Sequence, residues 1–426
     1  MKTPRLLVAA FFTLVFPVSL FAQTPDTTEK VVAGRANSAA QQEKAYVILI
    51  SIDGMRHDFA EKFQAKNLLA LSNRGVRAKF MYPSYPSLTF PNHYTLITGL
   101  YPAHHGLVDN AFYGRNEARP YSMGNRTNVT DPVWYGGVPL WVLAEQQNML
   151  TASFYWVGSE TKIDSLYPTH YYNYSTAIPI DQRVEKVKEW LSLPADQRPH
   201  LITFYFPEVD HEAHVHGPDS KEAGEAVHFV DESIGKLVKK VGETGLPVNF
   251  IVVSDHGMTK VDNEHAMGVP AEVDTTKFTI PRGDALLQLY AKNEKDIRPT
   301  YKALKENARY FDVYLRRNMP SRWHYGKKDD RYNRIGDIIL VPHLPYVFNT
   351  SPKKTTPGKH GFDPQIPDMH AVFYAWGPAF RSGLVTSEFE NVNVYPLVAH
   401  ILGLPFTQKI DGKLEVLQNT LKDSEK

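Results

Sequence analysis

Two kinds of hydrophobic pattern alternate along the chain. Continuous runs of apolar, mostly β-branched residues predict strands buried on both faces, in YVILISIDG from residue 46, LITFYF at 201–206 and VNFIVVSDHG at 248–257. Apolar residues that recur every three or four positions predict helices, the clearest of them amphipathic at 223–241, with shorter ones at 67–75 and 184–191. Strands that alternate with helices indicate an α/β sheet protein.

The pattern changes between about residues 268 and 359. This stretch is richer in charge and proline, and it predicts a helix over 299–307 and a strand over 337–342. The core pattern resumes in MHAVFYAWGP at 369–378, and VYPLVAHILGL at 394–404 predicts a terminal helix. We therefore interpret 268–359 as a subdomain inserted into one larger domain.

The first residues have the pattern of a targeting segment. Lysine and arginine at positions 2 and 5 precede an apolar run over 6–21, which ends at Ala22 before a polar stretch. This pattern predicts a signal peptide over 1–22, cleaved near Ala22. A membrane anchor is the alternative, but the run is shorter than the roughly 20 residues of a spanning helix and contains Pro17. We expect a polar linker over 23–43 and a periplasmic or secreted protein without a stable membrane anchor.

Composition limits the kinds of partner. The 426 residues carry 47 Lys and Arg against 46 Asp and Glu, so the net charge of +1 provides no global attraction for a nucleic-acid duplex. The chain has no cysteine, which excludes disulfides and a cysteine-ligated structural zinc site. Recognition of a charged ligand must be local, and we expect a small-molecule substrate and a monomer.

Carboxylates and imidazoles cluster at the predicted strand ends. Asp53 ends the first strand, and Asp255 and His256 end a later one, where open α/β sheets place their chemistry. In VDHEAHVHGP, Asp210 and His214 are four residues apart, so one helical turn places them on the same face. Nitrogen and oxygen ligands of this kind suit zinc with an open coordination position.

His360, in KHGF, follows the insertion and extends this group. Each residue taken singly has an ordinary alternative, because a strand-end aspartate is usually a turn residue or a cap and an isolated Asp-x-x-x-His pair is usually solvated. His211 and His216 flank the helical pair and are interpreted as surface histidines. Spacing alone leaves open whether these residues form a hydrolytic metal site.

Longer motifs carry a family resemblance. In chain order they are ISIDGMR, SLTFPNHYTLITGLYPAHHG, VDN at 108–110, FYWVGSE, VDHEAHVHGP, SDHGM and KHGFD. From about Tyr46 to Leu404 the chain resembles the nucleotide pyrophosphatase/phosphodiesterase family of the alkaline phosphatase superfamily. The resemblance implies a catalytic domain over 44–426 with an alkaline-phosphatase-like fold: a central mixed, mostly parallel sheet flanked by helices, with the smaller inserted subdomain.

The resemblance also implies two Zn²⁺ per chain, since the family binds two zinc ions. The residues implied for the first zinc are Asp53, Asp255 and His256, with the Thr89 oxygen as a further ligand. The residues implied for the second zinc are Asp210, His214 and His360. Two such ions clamp the attacking and leaving oxygens of an in-line displacement.

Thr89 and Asn110 take catalytic roles through the same resemblance. Thr89 becomes the nucleophile that forms a phosphothreonine-type intermediate, activated by zinc in place of a general base. Asn110 becomes a hydrogen-bond donor to a nonbridging phosphoryl oxygen. Without the other motifs, Thr89 would equally fit a helix N-terminal cap and Asn110 a turn.

The substrate arm is less constrained. The resemblance assigns Phe90 and Tyr174 to an aromatic pair that stacks on a nucleobase, with Trp156 and Tyr205 at matching pocket positions. Leu88 departs from the lysine of vertebrate nucleotide-preferring members. The apolar neighbours of the nucleophile favour a diester over a dianionic monoester, but a cation from elsewhere in the chain would weaken that argument.

These observations predict an exported zinc phosphodiesterase or nucleotide pyrophosphatase that releases nucleoside 5′-monophosphates. The alternatives are an alkaline phosphatase acting on monoesters and a phospholipid or choline-headgroup phosphodiesterase, which would use the same metals. A binding protein that has lost activity is a further alternative. It is disfavoured because every implied ligand and the nucleophile are present.

Overall fold

The computed structural model describes residues 26–423, so the predicted signal peptide lies outside the described residues. The strands of this part are β1 (Lys30–Val31), β2 (Tyr46–Ile52), β3 (Val76–Ala78), β4 (Met81–Tyr82), β5 (Ala111–Gly114), β6 (Arg119–Ser122), β7 (Thr151–Phe154), β8 (His170–Tyr171), β9 (Leu201–Phe206), β10 (Val248–Val253), β11 (Thr259–Lys260), β12 (Phe278–Thr279), β13 (Leu287–Ala291), β14 (Phe311–Leu315), β15 (Ile338–Pro342), β16 (Gly358–Lys359), β17 (Phe373–Trp376), β18 (Leu384–Thr386) and β19 (Phe389–Glu390).

The α-helices alternate with these strands along most of the chain. They are α1 (Ala39–Gln42), α2 (Phe59–Lys62), α3 (Lys66–Arg74), α4 (Thr89–Thr98), α5 (Pro102–His105), α6 (Arg126–Val129), α7 (Leu140–Gln146), α8 (Ile180–Leu191), α9 (Glu208–His216), α10 (Lys221–Gly242), α11 (Ile297–Asn307) and α12 (Val394–Leu402). No helix among residues 26–423 has both the length and the apolar composition needed to cross a bilayer.

A nine-stranded sheet organises the fold, in the order β1-β8-β7-β9-β2-β10-β17-β3-β18. The pairings β8–β7, β7–β9, β9–β2, β2–β10 and β3–β18 are parallel, and the others are antiparallel. The predicted fold class, a mixed and mostly parallel sheet flanked by helices, is confirmed.

Both faces of this sheet are buried, as the apolar runs predict. Along β2, Val47 and Leu49 pack into one core with residues of α4, α7 and α12. Ile48 and Ile50 point the other way, into a second core with residues of α3, α8 and α10. A strand covered on both faces needs apolar side chains at consecutive positions, which explains the unbroken run YVILI.

A second, four-stranded sheet has the order β12-β13-β15-β14 and spans residues 278–342. It has its own apolar core, which includes Leu287, Leu304 and Leu340. The sheet lies inside the range 268–359 that the change of sequence pattern marked as an insertion.

The polar stretch before β2 contacts the domain where the structure describes it. β1 pairs with β8 at the edge of the large sheet, and the buried Asn37 side chain accepts a hydrogen bond from Leu150 N at 2.7 Å. Its amide group also donates to the carbonyl oxygens of Ala195 and Arg198. Parts of this stretch are therefore bonded to the domain, while the division into linker and catalytic domain stays a prediction.

Candidate active site

Three adjacent parallel strands bring the candidate ligands to one edge of the large sheet. β9, β2 and β10 are neighbours with parallel register, so their carboxyl ends lie together. Asp53 directly follows β2, Asp255 follows β10, and Asp210 lies on α9 just after β9. The predicted strand over 248–257 ends at Val253, so Asp255 and His256 lie beyond it in the turn at the sheet edge.

The first cluster is formed by Asp53, Asp255 and His256, with ligand atoms within 4.8 Å of one another. His256 Nε2 lies 2.9 Å from Asp255 Oδ2 and 3.5 Å from Asp53 Oδ1. All three side chains are buried, and neither of these two carboxylate oxygens receives a hydrogen bond from the described residues. Buried oxygens without donors are costly, and a bound cation would satisfy them.

The second cluster joins Asp210, His214 and His360. Asp210 Oδ1 lies 3.4 Å from His214 Nε2 and 3.6 Å from His360 Nε2, and it too lacks a hydrogen-bond donor. His214 Nδ1 donates to the carbonyl oxygen of Gly358 at 2.7 Å, and His360 Nδ1 donates to that of Ser87 at 2.8 Å. These bonds direct both Nε2 lone pairs into the cluster, as metal-binding histidines require.

The two Nε2 atoms of this cluster lie only 3.1 Å apart. In neutral rings that each donate through Nδ1, both Nε2 atoms are acceptors, so this approach is unfavourable unless a cation lies between them. The donor set of two imidazoles and one carboxylate leaves a fourth position open for a substrate oxygen, which is typical of catalytic zinc.

The clusters are neighbours. The rings of His256 and His360, one from each cluster, are stacked with centroids 3.6 Å apart. An arrangement of two adjacent cation sites can hold both the attacking and the leaving oxygen of a phosphoryl group.

Charge is poorly balanced without cations. Burial, together with the charges of Asp255 and Asp210, raises the pKa of Asp53 well above its usual range. Burial also acts to raise the pKa of Asp255, but the neighbouring imidazoles of His256 and His93 outweigh it and hold that pKa well below the usual range. Burial and the charge of His256 lower the pKa of His360, which keeps its ring neutral.

Two glycines, Gly54 and Gly358, allow other parts of the backbone to pack closely against α9. Gly54 has φ +67°, and a Cβ there would lie 2.9 Å from Asp210 Cα. A Cβ on Gly358 would lie 2.0 Å from the carbonyl oxygen of Ala213, beside His214. A larger residue at either position would push α9, which carries two candidate ligands, away from the segment that holds the glycine.

Thr89 begins α4 and faces the first cluster, its Oγ1 lying 3.2 Å from His256 Nε2. The helix is capped at Leu88, and no side chain caps it by a hydrogen bond, so a simple capping role does not describe Thr89. Asn110 lies beside it, since its Oδ1 accepts from Phe90 N at 3.0 Å. The Asn110 side chain is thereby held near the start of α4.

A cavity of about 450 Å³ opens from the two clusters, and its lining includes Asp53, Thr89 and Asp210. The four predicted pocket aromatics also line it: Phe90, Trp156, Tyr174 and Tyr205. Tyr174 is 49% exposed at the protein surface, whereas Trp156 is buried. The structure thus brings every residue of the predicted pocket together, while their role in binding stays a prediction.

Two further contacts at this site are not evident from the motifs. His93, one turn after Thr89, is buried between Ser51 Oγ at 2.8 Å and Asp255 Oδ2 at 3.3 Å. Tyr205 lines the cavity, but its hydroxyl also donates to Asp53 Oδ2 at 2.5 Å. His93 lies in FPNH, four residues after Thr89, but this spacing alone does not indicate its contact with Asp255. Nothing in the sequence around Tyr205 indicates its bond to Asp53.

Removing the hydroxyl of Tyr205 should weaken cation binding by the first cluster. In Tyr205→Phe the Asp53 carboxylate loses its donor, and we expect zinc affinity to fall about 10- to 100-fold, as when other outer partners of metal ligands are removed. Titration of the metal-free protein with zinc in a competing chelator measures this. Tyr155→Phe is the matched control, because that hydroxyl lines the same cavity yet donates to the Ser175 carbonyl; equal affinities for the two variants would contradict the role of Tyr205.

Comparison with known proteins agrees with this geometry. Residues 47–363 match the family model "Type I phosphodiesterase / nucleotide pyrophosphatase". The chain belongs to this family. Other members include the venom phosphodiesterase CdcPDE of Crotalus durissus collilineatus, 33% identical over 92% of this chain, and ectonucleotide pyrophosphatase/phosphodiesterase family member 1 of Mus musculus, 34% identical over 86%. The chain spans 48% and 41% of those two proteins, about half their length or less.

A solved structure extends the comparison to the fold. Murine ectonucleotide pyrophosphatase/phosphodiesterase 5, an inactive threonine-to-alanine variant in complex with AMP, superposes with a TM-score of 0.83 and 27% identity. The match covers 89% of this chain and 100% of the murine one. The alkaline-phosphatase-like architecture expected from the motifs is therefore shown.

Proposed function

We propose that this member of the family is a two-zinc phosphodiesterase and nucleotide pyrophosphatase that releases nucleoside 5′-monophosphates through a phosphothreonine intermediate. The observation that carries the proposal is the position of Thr89 Oγ1, 3.2 Å from His256 Nε2, beside two adjacent clusters of ligand atoms. A hydroxyl alone is a poor nucleophile at neutral pH, and here it lies where a cation would lower its pKa.

The residues present fit two zinc ions. Asp53, Asp255 and His256 would hold one and Asp210, His214 and His360 the other, because carboxylate oxygens without donors and Nε2 lone pairs converge in each cluster. When bound, zinc supplies Lewis-acid stabilisation of negative charge on oxygen. The carbonyl groups of Gly358 and Ser87 fix the tautomers of the two histidines in the second cluster.

The reaction then consists of two displacements at phosphorus, the first by Thr89 and the second by water. Thr89 Oγ1 loses its proton to solvent and attacks phosphorus, the bond to the leaving oxygen breaks, and the phosphoryl group with its nucleoside arm is carried on Thr89. Water next attacks the same phosphorus and breaks the bond to Oγ1, which restores the threonine and releases the monophosphate. Asn110 would donate its amide hydrogens to a nonbridging oxygen, a role supported by the bond that its Oδ1 accepts from Phe90 N at 3.0 Å.

A nucleoside arm fits the aromatic cavity. Phe90 and Tyr174 would stack on the base, a contribution of roughly 1–3 kcal/mol per base. The murine structural relative was solved with AMP, which supports a nucleotide over a lipid or choline diester. Export is part of the proposal and is supported by the amino-terminal pattern and by the names of the relatives, a venom enzyme and an ectoenzyme.

A substrate panel tests the reaction class and the arm together. We expect the specificity constant kcat/KM to be highest for p-nitrophenyl-TMP and ATP, lower for bis-p-nitrophenyl phosphate and lowest for p-nitrophenyl phosphate and p-nitrophenylphosphorylcholine. Mass spectrometry should identify AMP, with pyrophosphate, as the product from ATP. Dominant hydrolysis of p-nitrophenyl phosphate would instead establish a monoesterase, and dominant hydrolysis of the choline ester a headgroup diesterase.

A further inference from the structure

A second cavity lies beside the candidate active site, with a volume of about 380 Å³. This is within the range of roughly 300–1,000 Å³ that is usual for small-molecule sites. It shares Met123 and Gly124 with the aromatic cavity, so the two spaces are neighbours along one wall. The proposed mechanism assigns no role to it.

The residues that line this second cavity connect it to the candidate active site. Its lining contains Leu88, directly before the nucleophile, and Asn110, which is bonded to the start of α4. It also contains Lys359, directly before His360 of the second cluster. The second cavity is therefore lined by chain neighbours of the nucleophile and of a second-cluster residue, and it is separate from the aromatic cavity assigned to the nucleoside arm.

The lining is also basic. Four cations belong to it: Arg282, Lys353, Lys354 and Lys359. Lys359 is paired with Asp284 at 2.7 Å and Lys354 with Glu264 at 2.7 Å. Within residues 26–423 neither Arg282 nor Lys353 forms an ion pair; Arg282 donates to the Ser351 hydroxyl at 2.6 Å.

Besides Asp284, the lining contains one more acidic residue, Asp109, and both of its oxygens already accept hydrogen bonds. Asp109 is buried, its Oδ1 accepts from Ala111 N at 3.3 Å and its Oδ2 accepts from Gln288 Nε2 at 3.0 Å. The cavity thus presents two unpaired positive side chains and no free carboxylate. The aromatic cavity is lined by three acids, Asp53, Asp210 and Glu160, and by one cation, Arg126, which is paired with Glu160.

We infer that the second cavity receives the anionic leaving arm of the substrate, a phosphate or polyphosphate group on the far side of the scissile bond, and that Arg282 and Lys353 bind it. The inference rests on the proposed function, which supplies the scissile bond. Leu88 and Phe90 provide no positive charge beside the nucleophile. In this inference the positive charges come instead from Arg282 and Lys353 of the inserted subdomain. Guanidinium and ammonium groups bind phosphate oxygens by charge-assisted hydrogen bonds.

Two substrates that share one nucleoside arm provide the test. TTP leaves pyrophosphate and p-nitrophenyl-TMP leaves p-nitrophenolate, so only the leaving arm differs in charge. In the double variant Arg282→Ala/Lys353→Ala, kcat/KM for TTP should fall about 10- to 100-fold, as expected for lost charge-assisted contacts. Hydrolysis of p-nitrophenyl-TMP should stay at the wild-type rate.

Controls separate binding from folding. Lys302→Ala removes an exposed lysine of the same subdomain and should leave both substrates unaffected, whereas Arg282→Lys/Lys353→Arg should retain TTP hydrolysis. An equal loss for both substrates, or unchanged TTP hydrolysis, would overturn the inference.

Binding is measured independently of catalysis. In calorimetry of the zinc-loaded Thr89→Ala protein, pyrophosphate affinity should fall by the same factor when Arg282 and Lys353 are also replaced, and equal affinities would reject the site. A wild-type protein that hydrolyses neither nucleotide would refute the proposed function, and the calorimetry would still decide whether the cavity binds the anion.

Discussion

Thr89→Ala should lower hydrolysis of p-nitrophenyl-TMP by a factor on the order of 10³ to 10⁶, the range seen when an enzyme loses its covalent nucleophile. Alanine removes the oxygen that lies 3.2 Å from His256 Nε2 and leaves the backbone of α4 in place. The bond from Phe90 N to Asn110 does not involve the lost atom and should persist. Initial rates at saturating zinc measure the effect.

The control for this prediction keeps the hydroxyl. Thr89→Ser should retain substantial activity, since it preserves Oγ, and quenched-flow labelling should detect a phosphorylated residue in the serine and wild-type proteins alone. Zinc content and the midpoint of thermal unfolding should be the same in Thr89→Ala and wild type. An alanine variant that still turns over at the wild-type rate would remove Thr89 from the mechanism.

Removal of zinc should have the second large effect, on stability as well as on activity. Asp53, Asp255 and Asp210 each direct a buried oxygen without a hydrogen-bond donor into the clusters, and a bound cation would satisfy these oxygens. A ligand whose free concentration is about 1,000 times its Kd raises the free energy of unfolding by about 4 kcal/mol per site. Dialysis against dipicolinic acid should therefore abolish hydrolysis and lower the midpoint of thermal unfolding by several degrees, both reversed by Zn²⁺.

Two histidines on α9 make a matched pair for this prediction. His214→Ala removes a ligand of the second cluster and should reduce bound zinc from two ions to one per chain. His216, two residues along the same helix, lies outside both clusters and pairs with Glu212 at 3.4 Å, so His216→Ala should keep two ions. Equal metal content in the two variants, measured by plasma mass spectrometry, would refute the assignment of His214.

The strands could be predicted because their signals are local, and some of the candidate ligand residues were proposed from local spacing. An apolar run such as LITFYF predicts a doubly buried strand whatever its neighbours are, and the observed β9 has the same bounds. The spacing of Asp210 and His214 needs only one helical turn to bring them together. Family motifs added Thr89 and His360, whose positions far apart in the chain carry no spacing signal of their own.

Polar composition alone does not distinguish a solvated linker from a segment that is bonded to the domain. The stretch around Asn37 is polar because its side chains bond to backbone groups of the domain, and a solvated linker has the same composition. The apolar neighbours of Thr89 likewise indicate a site without positive charge. Arg282 and Lys353 nevertheless line the adjoining cavity, although they lie about 190 and 260 positions after Thr89 in the chain.

By itself the sequence determined the α/β class, the family and the identity of the candidate ligands, since these follow from hydrophobic period, residue type and motif order. Only the tertiary structure decided which atoms meet: the hydroxyl of Tyr205 on Asp53, the carbonyl groups that orient His214 and His360, and the basic cavity beside Asn110. These contacts join residues more than 100 positions apart, and their distances depend on strand order and close backbone packing, which no local pattern encodes.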